Sequence, residues 1–458
     1  MLTTPIFTRL LSSDEYGQYN QFNSWLGILT IIVSLNLSMG VYTQGIVKFE
    51  ERRNILSSSL QGLNIFLISV WCLIYLLFRE TINGLLLLTT PQVLCIFVLV
   101  WTESVFRFWS SEKRVTYDYR PIVIVTLLAS VGNPLLGIWL IRHSQDKVLA
   151  RILGIVISEM LCYSWCFISQ VHRGKQLFSK EFWKYAVLFN LPLIPHYLSQ
   201  TLLNNSDRIM IGRMVGDSES GIYSLAYSLA LIMTLFSQAL SQAFNPWFYQ
   251  KLKNKDIKEI DTISYLSFGL IGTMNLALIV FAPEIVAIFG PPEYRSAVYC
   301  IPPVAMGTVF LFSFEVFGKF AFYYEKTKSI MYASIGAAAL NIILNYFGIK
   351  LFGYIAAAYT TLICYITFSV FHYALMKRVC RESMSIESPL KAPILLKMSA
   401  VFLAIGFLML ATYDYPVIRY SIIAVVLIAT LVKRKYLYRK LLPIISLMNK
   451  KSRQRGNA

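Results

Sequence analysis

The sequence predicts an all-α polytopic membrane protein: two six-helix lobes related by a pseudo-two-fold along the membrane normal, plus two C-terminal helices. Three observations carry this prediction. Of the 458 residues, 56% are hydrophobic and only 14% charged, whereas soluble domains carry about 25% charged residues. Apolar runs long enough to cross a bilayer, about 17–25 residues each, recur from end to end. Basic residues gather in every second loop between those runs.

A fragment at 1–11 precedes thirteen whole spans, near 19–43, 58–78, 85–108, 121–141, 150–170, 185–211, 220–244, 262–288, 298–324, 330–350, 354–376, 394–411 and 417–432. One set of alternate loops, together with the C-terminal tail, holds 29 of the 42 Lys and Arg; the opposite set, counted with Arg208 and Lys350 at the ends of their spans, holds eight, and the other five fall inside spans. Cytoplasmic loops retain positive charge, so the basic loops and the C-terminus are expected to face the cytoplasm. The net charge of +18 is therefore loop charge, not the basic face of a soluble nucleic-acid-binding fold. All seven cysteines lie in or beside apolar segments, without CxxC spacing. Met1 is followed by LTTPIFTRLL, which has neither the basic n-region nor the small-residue cleavage site of a signal peptide.

The chain also repeats itself. Arg9 is followed by Glu15, Gly17 and Tyr19, and 204 residues later Arg213 is followed by Glu219, Gly221 and Tyr223 at the same spacings. Glu103 and Arg107, followed by Glu112-Lys113, return 212 residues on as Glu315 and Lys319, followed by Glu325-Lys326. Ala129–Asn133 resembles Ala337–Asn341 at an offset of 208. A full span precedes Arg213 but only eight residues precede Arg9, so most of a first helix is expected to be missing; restoring it makes fourteen. Each echo then pairs span n with span n+6, which gives lobes of parallel topology, as in one class of alternating-access transporter. The expected division is an N-terminal lobe over 1–177 with its first helix mostly missing, a C-terminal lobe over 178–380, and an additional helix pair with a basic cytoplasmic tail over 381–458.

The run Leu203-Asn204-Asn205-Ser206-Asp207-Arg208-Ile209-Met210-Ile211-Gly212-Arg213, the following Gly221-Ile222-Tyr223, and the opening Leu2–Ser12 with its Glu-Tyr-Gly-Gln-Tyr resemble the Wzx-type O-antigen and capsular polysaccharide flippases. These are the polysaccharide transporters of the multidrug/oligosaccharidyl-lipid/polysaccharide exporter superfamily. The resemblance implies a secondary transporter in the bacterial cytoplasmic membrane that carries an undecaprenyl-pyrophosphate-linked oligosaccharide from the inner to the outer leaflet. It also implies membrane lipids around the protein, and a polysaccharide polymerase and chain-length regulator as partners.

Charge at the bilayer centre costs at least ~2.5–3.5 kcal/mol, so ionisable groups within spans are the candidate site. Glu103/Arg107 and Glu315/Lys319 are each spaced i,i+4, with the acid first, the favourable order on a helix. Either each pair neutralises itself and reaches toward the headgroups, or the bases face a cavity and attract pyrophosphate. Asp207 and Arg208 are adjacent and point about 100° apart; they cap the helix or line the cavity. Arg9 and Arg213 read as interface anchors, and Arg151, Lys397 and Arg419 as snorkelling residues. His196 lies between the helix-bending Pro192 and Pro195 and the polar Gln200, Asn204 and Asn205; it is a buried hydrogen-bonded ring or a proton carrier.

No metal-ligand cluster, P-loop or nucleophile elbow occurs in the sequence, so no cofactor, metal or enzyme activity is expected. The alternatives to a flippase are a multidrug or small-cation exporter on the same scaffold, a membrane-embedded glycosyltransferase or polymerase, and an inactive truncated flippase. A cation exporter calls for net acid in its cavity, whereas the intramembrane groups here read as balanced or basic.

Overall fold

The computed structural model describes residues 3–254, 259–324, 326–432 and 434, and every regular element among them is a helix. Ten helical segments among the described residues are long and apolar enough to cross a membrane, so the chain is a multi-pass membrane protein. The basic tail from 435 onward lies outside the described residues, and with it the expected cytoplasmic C-terminus. Lys255, Lys258 and Glu325 lie outside them too.

Three of the thirteen expected spans have no counterpart among those ten. Span 19–43 is divided between two helices separated by Leu35–Gly40, span 185–211 is interrupted at Leu191–Leu193, and the last helix has 17 residues.

The chain folds as two compact units, one over Leu2–Gly221 and a second beginning at Ile222. The N-terminal unit contains α1 (Thr4–Leu10), α2 (Ser13–Ser34), α3 (Val41–Lys48), α4 (Arg53–Leu77), α5 (Arg79–Leu86), α6 (Thr90–Val115), α7 (Tyr119–His143), α8 (Lys147–Gly174), α9 (Lys180–Asn190), α10 (Ile194–Met214) and the first turn of α11 (Asp217–Ala230). The remainder of α11 begins the second unit. It is followed by α12 (Ile232–Lys253), α13 (Ile260–Val280), α14 (Ala282–Phe289), α15 (Ile301–Tyr323), α16 (Thr327–Phe352), α17 (Ala356–Val379), α18 (Ala392–Ala411) and α19 (Pro416–Val432). The compact units thus divide more than forty residues beyond the lobe boundary expected after 177. The reason is packing: α9 lies on α3 and α4, and α10 lies along α2.

The repeated opening motif has a packing role. Ser12 and Glu15 close a capping box at the start of α2, Ser12 N–H donating to Glu15 Oε2 (2.8 Å) and Glu15 N–H to Ser12 Oγ (3.2 Å). Gly17 lies against the backbone carbonyl of Asp217, and its counterpart Gly221 lies against that of Ser13, so a Cβ at either glycine would overlap backbone. The contact is reciprocal between equivalent positions of the two copies, and the Ser13 and Ser218 hydroxyls hydrogen-bond beside it at 2.8 Å. A side chain at 17 must push α2 away from α11. We therefore expect Gly17→Val to destabilise the protein by about 1–3 kcal/mol, the usual range for overpacking; thermal unfolding in detergent reads this, and an unchanged midpoint contradicts the contact.

A buried polar network ties α3, α4, α6 and α8 together. Glu112, 2% exposed, accepts from both terminal nitrogens of Arg173 (2.5 and 3.2 Å) and from Gln170 Nε2 (2.6 Å). Gln170 also donates to the Tyr42 hydroxyl and accepts from Gln61 Nε2 (2.8 Å), while the Tyr42 and Ser57 hydroxyls lie 2.7 Å apart.

Two arginines expected to snorkel are instead held inside the protein. Arg151 donates to Asn133 Oδ1 (2.6 Å), with its guanidinium 3.9 Å from the Phe7 ring centroid and 5.1 Å from that of Tyr19. It thereby joins α1, α2, α7 and α8. Arg419 pairs with Glu284 and packs beside Tyr413 and Tyr420, fixing α19 to α14. In both cases a carbonyl or carboxylate and aromatic faces replace the headgroup region. Arg213 is an anchor through a ring, its guanidinium lying 5.6 Å from the Trp25 centroid.

Candidate functional site

Two interrupted helices and one continuous helix enclose a cavity within the N-terminal unit. Between α2 and α3 the chain turns through Leu35 (φ 50°), Asn36 (φ 49°) and Gly40 (φ 67°). The left-handed region costs a residue with a side chain roughly 1–2 kcal/mol, so this turn needs support from outside. Buried Asn190 supplies it, its Nδ2 donating to the carbonyls of both Leu35 and Asn36 at 2.9 Å. Asn190 itself ends α9, just before the 3₁₀ turn Leu191–Leu193 that contains Pro192; Pro195 follows at the start of α10. Each interruption therefore braces the other. The bend that the proline pair demands is present, but the matching break in span 19–43 was hidden from the pattern of apolar residues.

The cavity measures about 420 Å³, within the roughly 300–1,000 Å³ of small-molecule sites. Asn23, Gly27 and Thr30 line it from one face of α2, at i, i+4 and i+7, and Asn36 lines it from the break. Tyr197, Gln200, Thr201 and Asn205 line it from α10, again at helical spacing. Opposite them, α6 contributes Glu103 and Arg107, which carry the only charges among the described lining residues and pair at 3.0 Å (Arg107 Nη2 to Glu103 Oε2). Behind the wall, Thr102 donates to Glu159 Oε2 at 2.6 Å and Arg208 Nη1 donates to Asn205 Oδ1 at 3.3 Å. The polar part of the wall is thus a set of amides and hydroxyls, each able to donate and accept, with one acid and one base that pair; Leu26, Ile31 and Met39 complete it.

The structure brings some of the expected site residues together and separates others. Glu103 and Arg107 meet as i,i+4 spacing predicts and face the cavity. Arg208 stands one layer behind, against Asn205, and Asp207 is buried beside it on α10. His196 adjoins the lining residue Tyr197, with ring centroids 5.9 Å apart, and its enclosed Nδ1 has no partner among the described residues. Lys319 and Glu315 belong to the other unit. Their expected ion pair is not formed among the described residues: the Lys319 ammonium donates to Ser241 Oγ on α12 (2.9 Å) and to the Glu315 backbone carbonyl (3.3 Å), with the Phe244 centroid at 5.1 Å. A hydroxyl and an aromatic face from α12 take the place of the carboxylate. Asn23, Thr30 and Asn36 were not anticipated; polar residues recurring at helical spacing inside an apolar span are the signal that exposes the first two.

This fold is that of the MOP-superfamily transporters. It superposes with TM-score 0.66 on the inward-facing conformation of a multidrug resistance MATE family transporter of that superfamily, at 12% identity, covering 83% of this chain and 95% of the other. It matches the lipid II flippase MurJ in an inward closed conformation equally, with TM-score 0.66 and 15% identity, over 96% of this chain and 98% of that one. The chain belongs to the polysaccharide biosynthesis protein family, whose profile matches residues 1–252, more than half its length. The MatE profile matches residues 192–347. Among curated proteins, "Lsg locus putative protein 1" of Haemophilus influenzae is 23% identical over 351 residues, spanning 73% of this chain and 83% of that protein. The fold is one shared with solved membrane transporters.

Proposed function

We propose that the protein is a flippase which carries a polyprenyl-diphosphate-linked oligosaccharide, an O-antigen or capsule repeat unit, across the bacterial cytoplasmic membrane. The two lobes, repeats of one another, alternate access to opposite sides, and the exported unit passes to a polymerase and chain-length regulator. One observation carries this reading: the polar lining of the N-terminal cavity is mostly amides and hydroxyls, the groups that bind sugars, and its one acid and one base pair with each other. Membership of the polysaccharide biosynthesis protein family supports it. So does an apolar pocket of about 810 Å³ in the C-terminal unit, lined by residues such as Phe268, Phe310, Leu395 and Phe402, which suits a hydrocarbon tail.

A second reading, a multidrug or small-cation exporter, is favoured by the MatE profile and by the likeness to the MATE transporter. Such a substrate calls for an acid free to meet a cation, and Glu103 is committed to Arg107.

Complementation separates the two. The full chain is expected to restore surface glycan in a bacterium lacking its own flippase, and Arg208→Ala to reduce display at least about tenfold, since a lost hydrogen bond to a charged group is worth roughly 1.5–3 kcal/mol. Absent glycan display combined with increased efflux of a cationic dye would support the exporter instead.

A further inference from the structure

The cavity wall points to a more specific assignment, which rests on the flippase reading. We propose that the N-terminal cavity is a subsite for uncharged sugar residues of the lipid-linked glycan, and that Glu103 is its specificity-determining residue because it neutralises Arg107. The diphosphate is held elsewhere.

Three features carry the inference. Arg107 presents its guanidinium toward the cavity but spends one terminal nitrogen on Glu103, four residues earlier on the same helix, at 3.0 Å. An anion entering would have to displace that carboxylate or lie beside it against its negative charge, and either is unfavourable. Second, the polar lining outside that pair is bifunctional, with Leu26, Ile31 and Met39 completing the wall. Asn23, Asn36, Gln200 and Asn205 carry amides, which both donate and accept as a sugar hydroxyl does, Asn205 already donating to the Thr201 carbonyl and accepting from Arg208, whereas a phosphate or carboxylate group asks for donors alone. Third, the charged groups behind the wall are not predominantly basic: Glu159 accepts from the Thr102 hydroxyl, Arg208 donates to the Asn205 amide, and Asp207 is buried next to Arg208 on α10. No excess of base therefore reaches the cavity through its second layer among these groups.

Removing the Glu103 charge should convert the wall. In Glu103→Gln the helix spacing and the side-chain volume remain, the amide oxygen can still accept from Arg107, and the guanidinium charge is no longer cancelled. The cavity then acquires a net positive group and should accept acidic sugars.

The test uses the full chain in nanodiscs and three probes of one short polyprenyl chain: the bare diphosphate, the diphosphate carrying a neutral trisaccharide, and the diphosphate carrying a trisaccharide that ends in a uronic acid. Wild type is expected to bind the neutral glycolipid at least about tenfold more tightly than the acidic one, and Glu103→Gln to improve the acidic probe about tenfold, each tenfold step corresponding to 1.4 kcal/mol. Asn205→Ala should weaken the neutral glycolipid and leave the bare diphosphate unchanged. A thermal-unfolding midpoint close to wild type for each variant shows that the fold is kept; where it is not, the neutral-to-acidic ratio in wild type decides alone. Equal wild-type binding of both glycolipids overturns the proposal, as does equal weakening of the bare diphosphate and the neutral glycolipid by Asn205→Ala. If wild type binds none of the three probes, the flippase reading itself fails, and the subsite falls with it.

Discussion

Arg107→Ala is expected to lower the proposed transport of a neutral lipid-linked oligosaccharide about tenfold or more, and adding Glu103→Gln to restore most of it. The single change leaves the Glu103 carboxylate facing the cavity without its partner at 3.0 Å. An unpaired carboxylate in a poorly solvated site loses a hydrogen bond to a charged group, worth roughly 1.5–3 kcal/mol, and repels a diphosphate-bearing lipid approaching the unit. The double variant removes both charges, so the wall is again neutral and its amides are intact. Contacting pairs give coupling energies of about 0.5–3 kcal/mol in double-mutant cycles, and a value in that range is expected here. Initial flipping rates in proteoliposomes provide the measurement. If Arg107 instead gripped the diphosphate directly, the double variant would remain as slow as Arg107→Ala.

The second large effect concerns the fold. Arg173→Leu strips Glu112 of its cation while Gln170 remains at 2.6 Å. Breaking a fully buried ion pair from one side costs about 3–5 kcal/mol. Arg173 is 37% exposed in its side chain, whereas Glu112 is almost wholly enclosed, so screening reduces the expected loss to roughly 2–3 kcal/mol. Removing both ends, as Arg173→Leu with Glu112→Leu, should recover more than half of the loss, because no buried charge is then left unmet. Thermal unfolding of the three variants in one detergent compares them; equal midpoints for wild type and Arg173→Leu would mean that the network does not hold α6 to α8.

Much of the helical membrane architecture was legible in the sequence, because apolar runs report directly on the bilayer. The Glu103–Arg107 pair was legible too, since i,i+4 geometry is local. The same reasoning failed at Lys319: its partner Ser241 lies 78 positions earlier, and nothing in the spacing of α15 reveals which face α12 covers. The interruption at Leu35–Gly40 was hidden for a related reason. Leu and Asn carry no sign that they adopt positive φ, and the support comes from Asn190, more than 150 residues away. Arg151 and Arg419 read as free to reach the headgroups because the partners that hold them are distant in the chain: Phe7, Tyr19 and Asn133 for Arg151, and Glu284 for Arg419. The repeated glycines were visible as a pattern, but their meaning, each copy receiving the backbone of the other, required coordinates.

The central claim is that an amide-walled, charge-neutral cavity serves a carrier of glycosylated polyprenyl diphosphates. It is tested most directly by reconstituting the full chain in liposomes with a fluorescent neutral trisaccharide-diphosphate-polyprenyl lipid and following its accessibility to a membrane-impermeant quencher. The account predicts protein-dependent flipping that Asn205→Ala slows. Flipping no faster than in protein-free liposomes, alongside protein-dependent movement of an organic cation, would contradict it.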